Sequence, residues 1–297
     1  SVQSFDAAAE ISPDHAYLLV LEDSDSGKVV GISAVKAQIG LRDPFFNFRI
    51  LNVAQKSAVT DRRFDMEVLV LVNEYAGATE VGTLFVPPEM RGTGAGRLIS
   101  QARYMLMATA PQRFAGQVIS ELRGHVDDTG FSPFWEAIGR KFFLMDFTEA
   151  DHVSAEKDNQ FILDLMPKYP IYAALLPEDA QAAMGQTHPS GIGARRFLES
   201  EGFRYNGVID IFDAGPSMSV PQKDIRTVRE SRLVTVMDDQ TLERRSQTAL
   251  IGNERISGFR CIMDGVSVTG NQAGLSAGAM AALDLTPGDT ARIWIKS

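Results

Sequence analysis

One cysteine, Cys261, stands in 297 residues, which excludes an internal disulfide framework and any multi-cysteine zinc site. So thiol-poor a chain points to a reducing, cytoplasmic setting. Basic residues are short as well: 29 Lys and Arg stand against 38 Asp and Glu, a formal net charge of −9. That deficit argues against general nucleic-acid binding, which needs a basic face for the phosphates, and favours a cationic small substrate. No apolar run approaches the roughly 18 residues of a membrane span, and no signal-peptide pattern opens the chain. No Lys-Ser or Lys-Thr follows the glycine-rich turn, so a Walker-type phosphate loop is excluded. What remains is ordinary for a globular protein, 44% hydrophobic and 23% charged, and long enough for about two domains. A soluble cytoplasmic protein without a nucleic-acid or membrane partner is expected.

The pattern predicts an α+β chain. Ala16–Leu21 and Val29–Val35 are apolar and β-rich and flank the polar turn 22–28, a hairpin. Val68–Val72 and Glu80–Val86 are two more predicted strands, the second stopped by Pro87 and Pro88. A helix is expected from about Arg97 to Thr109, with Leu98, Ala102, Met105 and Leu106 on its apolar face, and then a strand at Gln117–Leu122. Two segments look alike: Pro133–Gly139 before a strand-like Phe142–Asp146, and Ala194–Phe203 before a strand-like Gly207–Phe212. Each reads as a short helix closed by Gly and followed by a strand, the hint of a partial repeat. From about Pro216 short β-like runs (Ser231–Val236, Thr248–Ile251, Gly258–Met263, Val266–Thr269) lead into Leu275–Leu285 and Pro287–Ile295. They predict a small barrel-like all-β domain with one short helix, and an exposed loop at Met237–Gln247.

The chemistry concentrates in Leu84-Phe85-Val86-Pro87-Pro88-Glu89-Met90-Arg91-Gly92-Thr93-Gly94-Ala95-Gly96-Arg97. Strand, then R-G-x-G-x-G, then helix, makes an anion cradle: glycines let backbone N–H groups turn inward, and the helix N-terminus adds its positive end. A pyrophosphate suits it, with Arg91 as a fixed positive charge. A dinucleotide-binding reading would want G-x-G-x-x-G in a βαβ unit; Glu121 lies at a suitable distance for its acidic residue, but the preceding hairpin argues for a mixed sheet.

These residues resemble the GNAT acyltransferase superfamily, whose acyl-CoA loop has the form R/Q-x-x-G-x-G/A; Arg91, Gly94 and Gly96 occupy those places. The run from Ala194 to Phe203 resembles the same superfamily's last helix and strand. A closer resemblance, over nearly the whole chain, is to the arginine N-succinyltransferase family. It is carried by Leu18–Gly27, Gly40–Arg49 (G-L-R-D-P-F-F-N-F-R), Thr83-Leu84-Phe85, Ser120–Gly124 (S-E-L-R-G), Ser132–Asp146, Leu165–Tyr172, Gly185–Pro189 (G-Q-T-H-P) and Glu201–Pro216. The family's V-H-A-S is replaced here by Ala54-Gln55-Lys56-Ser57, and its Q-V-H-P-Q-T-type opening of the last helix by 186–191.

This resemblance implies a GNAT-like mixed, mostly antiparallel sheet flanked by helices in residues 1–215, with an insertion at about 142–190, and the small β-rich domain in 216–297. It also implies that the family's first strand and a helical region, about 40 residues by typical element lengths, precede Ser1. The implied reaction is transfer of succinyl from succinyl-CoA, a cosubstrate rather than a permanently bound cofactor, to the α-amine of L-arginine in arginine catabolism, without a metal. Ornithine or another amine as acceptor stays open, as does a non-catalytic CoA-binding subunit. Both a homo-oligomer and a hetero-oligomer with a paralogous subunit are compatible.

Residue by residue, the resemblance gives acyl-CoA contacts at Leu84, Phe85, Val86, Arg91, Gly92, Gly94, Ala95 and Gly96, and a catalytic proton donor at His188. Pro189 restricts His188 to an extended backbone at the mouth of the last helix. Glu121 and Arg123 alternate on one predicted strand and so share a face. They form either a solvated ion pair or contacts to the polar ends of the substrates. Asp210 is a candidate partner for a guanidinium, with Asp213 either beside it or in a turn. His125 and Cys261 read as structural.

Overall fold

The computed structural model describes residues 3–156, 164–238 and 247–296. Two compact units emerge. The first falls within Ser1–Gln38, Thr79–Val118 and Pro221–Ser297, the second within Ile39–Ala78 and Ile119–Val220.

In the first unit β1 (Ala16–Glu22), β2 (Val29–Lys36) and β5 (Thr79–Phe85) lie side by side and antiparallel. Tyr17, Leu19 and Val35 alternate inward, as period-2 strands require, and Tyr17 packs edge-on against Phe5. Helix α1 (Ala95–Thr109) is covered along most of its length: Ile99 and Tyr104 through Met107 are buried. Its buried Arg103 is satisfied locally by the Ser100 carbonyl at 3.1 Å and Ser100 Oγ at 2.8 Å. The same unit holds a closed barrel of β10 (Arg232–Asp238), β11 (Gln247–Gly252), β12 (Cys261–Thr269), β13 (Gln272–Leu275) and β14 (Thr290–Ile295), in the order β10-β13-β12-β11-β14. Val234, Val236, Ala249, Ile251, Leu275 and Ile293 fill it together with Leu283 of a short helix over Ala277–Leu283. On its outside Met105 of α1 packs on Leu250 and Trp294. The Arg226 guanidinium stacks 4.9 Å from the centroid of that indole.

The predicted barrel is therefore present, with one change. Gly258–Met263 and Val266–Thr269 were expected as separate runs, yet Cys261–Thr269 is one strand that pairs with both β11 and β13. Of the expected loop Met237–Gln247, Met237 and Asp238 finish β10 and Gln247 starts β11; 239–246 lie outside the described residues.

The second unit carries the strand order β6-β9-β8-β3-β4-β7, where β6 is Gln117–Glu121, β9 Pro216–Pro221, β8 Arg204–Asp210, β3 Asn47–Ser57, β4 Arg62–Val72 and β7 Ile171–Tyr172. The β3–β4 hairpin keeps register from Asn47↔Val72 to Ser57↔Arg62. Pairs β3–β8, β8–β9 and β4–β7 are also antiparallel, so the expected mostly antiparallel α+β sheet is found.

The core of this unit gathers around Trp135 on α2 (Pro133–Ala137). Its ring is stacked between Phe143 and Phe212, both at 5.4 Å, and its Nε1 donates to the Met145 carbonyl at 3.1 Å. This overturns the expected strand at Phe142–Asp146. Gly139 does not end a helix but begins α3 (Gly139–Phe143), and a Cβ there would collide with the Trp135 ring. Leu144 then turns left-handed (φ 56°), which breaks any extended run. The second of the look-alike segments does lead into a strand, β8, so the partial repeat fails in its first copy.

Because Trp135 is fully buried between two rings, Trp135→Ala is expected to lower stability by about 3–5 kcal/mol. Urea unfolding monitored by circular dichroism checks this; a loss below about 1 kcal/mol would mean that the ring does not organise this core.

Candidate active site

The glycine-rich loop lies wholly in the first unit and is built by a break in β5. Ile32 pairs with Phe85 and Ala34 with Gly82, so Thr83 and Leu84 together face the single residue Ser33. Thr83 has φ 50°, the left-handed turn of a β-bulge. The bulge takes the peptides of Thr83 and Leu84 out of the regular ladder, where main-chain groups can serve a ligand. Phe85 is 55% exposed and Val86 half-buried. Pro87 then opens a short 3-10 turn, Pro88–Met90, which ends at Arg91 with extended backbone (φ −71°, ψ 142°).

Gly92 (φ 81°) and Gly94 (φ 98°) adopt backbone that side chains disfavour, and a Cβ at either would meet nothing within 4 Å. The space over both glycines is open. Gly94 caps α1 and no side chain caps in its place. Thr93 Oγ1 donates to the Met90 carbonyl at 2.7 Å and accepts from the Ala95 N–H at 3.3 Å. The first intrahelical bond is Leu98 N–H to Gly94 O at 3.0 Å, so the N–H groups of Gly96 and Arg97 lie ahead of it at the positive end of the helix dipole. No acidic residue occupies that turn. Exposed Arg91 beside these donors completes an anion site of the kind a pyrophosphate fills.

A second constellation lies wholly in the second unit. Glu121 ends β6, and its Oε1 accepts from Asn47 Nδ2 at 2.7 Å and from Ser217 Oγ at 3.2 Å. Asp210 ends β8 directly across from Asn47 on β3. Its Oδ1 accepts from the N–H groups of Phe212 (2.7 Å) and Asp213 (2.9 Å). Burial, and then the neighbouring carboxylates of Asp213 and Glu121, hold the Asp210 carboxyl well above the usual range. Asp213 is raised by burial too, although Gly124 N–H on Oδ2 and Gly215 N–H on Oδ1, both at 2.8 Å, favour its charge. This carboxylate-rich patch suits a cationic ligand.

β6 stops at Glu121, two residues short of Arg123, yet the expected alternation in burial runs on: Leu122 is buried between half-buried Glu121 and exposed Arg123. The Arg123 main chain has a different part: its carbonyl accepts from the His188 N–H at 2.8 Å. With Gly185 N–H on the Ala214 carbonyl at 2.9 Å, this fastens 185–188 beside the carboxylates. His188 has the extended backbone that Pro189 imposes (φ −50°, ψ 141°) and caps a short turn before the helix Ile192–Ser200. Its Nδ1 accepts from the Ser190 N–H at 3.2 Å and lies 2.7 Å from Ser190 Oγ. With Nδ1 engaged as acceptor, the neutral ring carries its proton on Nε2.

Cys261 is half-buried beside Met263 and Phe259, and burial pushes its thiol pKa up, the opposite of what a nucleophile needs. Among the described residues no group of three or more His, Cys, Asp or Glu could hold a metal ion, and no helix is long and apolar enough to cross a membrane. Sequence reasoning passed over Asn47 and Ser217. Asn47 sat unremarked between Phe46 and Phe48, and an amide amid aromatics in a strand was its available signal.

Comparison with known proteins gives the family. The family model described as arginine N-succinyltransferase beta subunit matches residues 1–227, and that of the same subunit's C-terminal domain matches 232–294. An arginine N-succinyltransferase from Enterobacter sp. (strain 638) is 40% identical over 280 residues, 94% of this chain and 81% of that protein. One from Citrobacter koseri is 39% identical with the same coverage. The solved structure of arginine/ornithine succinyltransferase subunit AI from Pseudomonas aeruginosa superposes with a TM-score of 0.88 at 33% identity, covering 98% of this chain and 85% of that one.

If the loop holds a pyrophosphate, Arg91→Ala weakens binding of coenzyme A by about 1.5–3 kcal/mol, the scale of a hydrogen bond to a charged group. Titration calorimetry with coenzyme A measures this, and unchanged affinity would contradict the assignment.

Proposed function

Because the chain belongs to the arginine N-succinyltransferase family, we propose that it transfers succinyl from succinyl-CoA to the α-amine of L-arginine. The observation that carries this reading is the open Arg91–Gly96 turn at the head of α1, an acyl-CoA loop by its chemistry. Leu84, Phe85 and Val86 receive the pantetheine arm and the thioester along the bulged strand end; Arg91, Gly92, Gly94, Ala95 and Gly96 take the pyrophosphate. Glu121 and Asp210 hold the cationic ends of the acceptor, and Arg123 offers its guanidinium to a carboxylate of the substrates.

Transfer is direct. The amine attacks the thioester carbonyl, the C–N bond forms and the C–S bond breaks. The ammonium sheds two protons in all; the CoA sulfur gains one and the other goes to solvent. His188, as the imidazolium, delivers from Nε2 the proton that the sulfur gains, with Ser190 Oγ, 2.7 Å from Nδ1, accepting from the Nδ1–H of that cation; the neutral ring left behind takes back one of the protons that the ammonium sheds. The high thiol pKa of Cys261 speaks against an acyl-cysteine intermediate.

The chemistry resides in residues 1–215, and the β-rich 216–297 supports it through the contact of its barrel with α1. The enzyme works in the cytoplasm with no permanently bound cofactor, as a homo-oligomer or with a paralogous subunit. Ornithine is the second acceptor to consider, because the Pseudomonas relative is described as acting on arginine and ornithine.

Initial rates over a panel of amines, with succinyl-CoA and acetyl-CoA as donors, test the assignment. Arginine with succinyl-CoA should be the best pair; a better pair would contradict it. His188→Ala should lower kcat by about 10²–10⁴-fold with the succinyl-CoA KM nearly unchanged, as for a lost general acid. A folded variant that keeps more than about a tenth of the wild-type kcat would remove His188 from the reaction.

A further inference from the structure

Asn47 is an odd residue for its place. It opens β3 with none of its surface exposed, flanked in sequence by Phe46 and Phe48. An amide sealed from water is costly unless both its ends are bonded. One end is: Nδ2 donates to Glu121 Oε1 at 2.7 Å and lies 3.5 Å from Ser217 Oγ. Its Oδ1 is buried with no hydrogen-bond partner among the described residues. A flipped amide would set Oδ1 against the Glu121 carboxylate, so the Nδ2 contact fixes the orientation.

Ser217, also fully buried, puts a second donor on the same Glu121 oxygen. Two buried side chains from β3 and β9 thus converge on one atom at the end of β6. Such a clamp holds the carboxylate in one rotamer. A carboxylate that only covered a sheet edge would need neither. Across the β3–β8 pair stands Asp210, with Asp213 beyond it. The cluster therefore has acceptors in excess, one of them an uncharged oxygen with no donor at all, which is the composition that a ligand rich in N–H donors completes.

We propose that Asn47 is the positioning residue of the acceptor subsite: with Ser217 it fixes Glu121 to receive the cationic nitrogen of the amino-acid substrate. The role rests on the reading above in which Glu121 meets the acceptor. Asn47 acts through Glu121, and the acceptors left over in the cluster are what the incoming N–H groups use.

Steady-state kinetics of Glu121→Gln, Asn47→Ala, Ser217→Ala and the double variant Asn47→Ala with Glu121→Gln test this. Glu121→Gln and Asn47→Ala should each raise the arginine KM by about tenfold or more and leave the succinyl-CoA KM within about twofold. Ser217→Ala should do the same by a smaller factor. The double variant should be no worse than Glu121→Gln alone, because a clamp without its carboxylate has nothing to hold. Additive losses, or equal rises in both KM values, overturn the proposal, since a merely structural residue would give either. If Glu121→Gln raises the arginine KM while Asn47→Ala and Ser217→Ala do not, the proposal falls and the acceptor subsite stands. If Glu121→Gln leaves the arginine KM unchanged, the subsite reading fails and takes the proposal with it. Should Asn47→Ala not fold, Ser217→Ala alone and combined with Glu121→Gln carries the same comparison.

Discussion

One buried carboxylate ties together the part of the chain that carries Glu121, Asp210 and His188. Asp213 is 8% exposed and bridges two backbones, Gly124 after β6 and Gly215 before β9, through bonds of 2.8 Å from each of its oxygens. The two backbones come so close that a Cβ at Gly124 would strike the Asp213 carbonyl, and one at Gly215 the Leu122 carbonyl. Glycine at both places is a steric requirement. With Leu122 N–H on the Pro216 carbonyl at 3.2 Å and Gly185 N–H on the Ala214 carbonyl at 2.9 Å, the 210–215 turn becomes the hub to which Glu121, Asp210 and the His188 segment are fastened. Loss of that carboxylate would leave two buried N–H groups without acceptors and loosen all three of these places at once.

The glycine-rich loop in the first unit follows a different principle. Its shape is set by its own main chain, braced by the hydroxyl of Thr93. A left-handed Thr83 bulges the strand, two left-handed glycines turn the loop, and α1 presents its first N–H groups. Main-chain donors suit a polyanion because they cost no side-chain entropy and add to a dipole already present. The carboxylate cluster of the second unit, by contrast, is built of fixed side chains, the directional acceptors that discrimination among small amines would need. Under the proposed function this division matches the two substrates, a large handle for CoA and a small cation whose identity matters.

The sequence revealed these two parts unequally. R-G-T-G-A-G between a strand and a helix was readable because glycine spacing reports main-chain geometry directly, whereas His188 was singled out by the resemblance of G-Q-T-H-P and by no local geometry of its own. The small barrel was visible in its short β runs, though not the continuity of Cys261–Thr269 across the turn-like Asp264-Gly265. Phe142–Asp146 misled because aromatic residues in a row suggest a strand, whereas here Phe143 stacks on Trp135 from a second short helix. Strand β3 escaped notice since Asn52, Gln55 and Lys56 dilute its apolar alternation over a hairpin exposed towards its tip. Asn47 and Ser217 escaped for a deeper reason. Their meaning depends on Glu121, more than seventy residues from either, and no local spacing encodes it.

The proposed direct transfer of succinyl from the thioester to the amine is the centre of this account. Mass spectrometry of both product and enzyme, after reaction with arginine and succinyl-CoA, tests it most directly. Arginine carrying one succinyl group on its α-nitrogen, with the enzyme mass unchanged throughout turnover, is the predicted result. A succinylated enzyme, or a product acylated on the guanidino group, would contradict it.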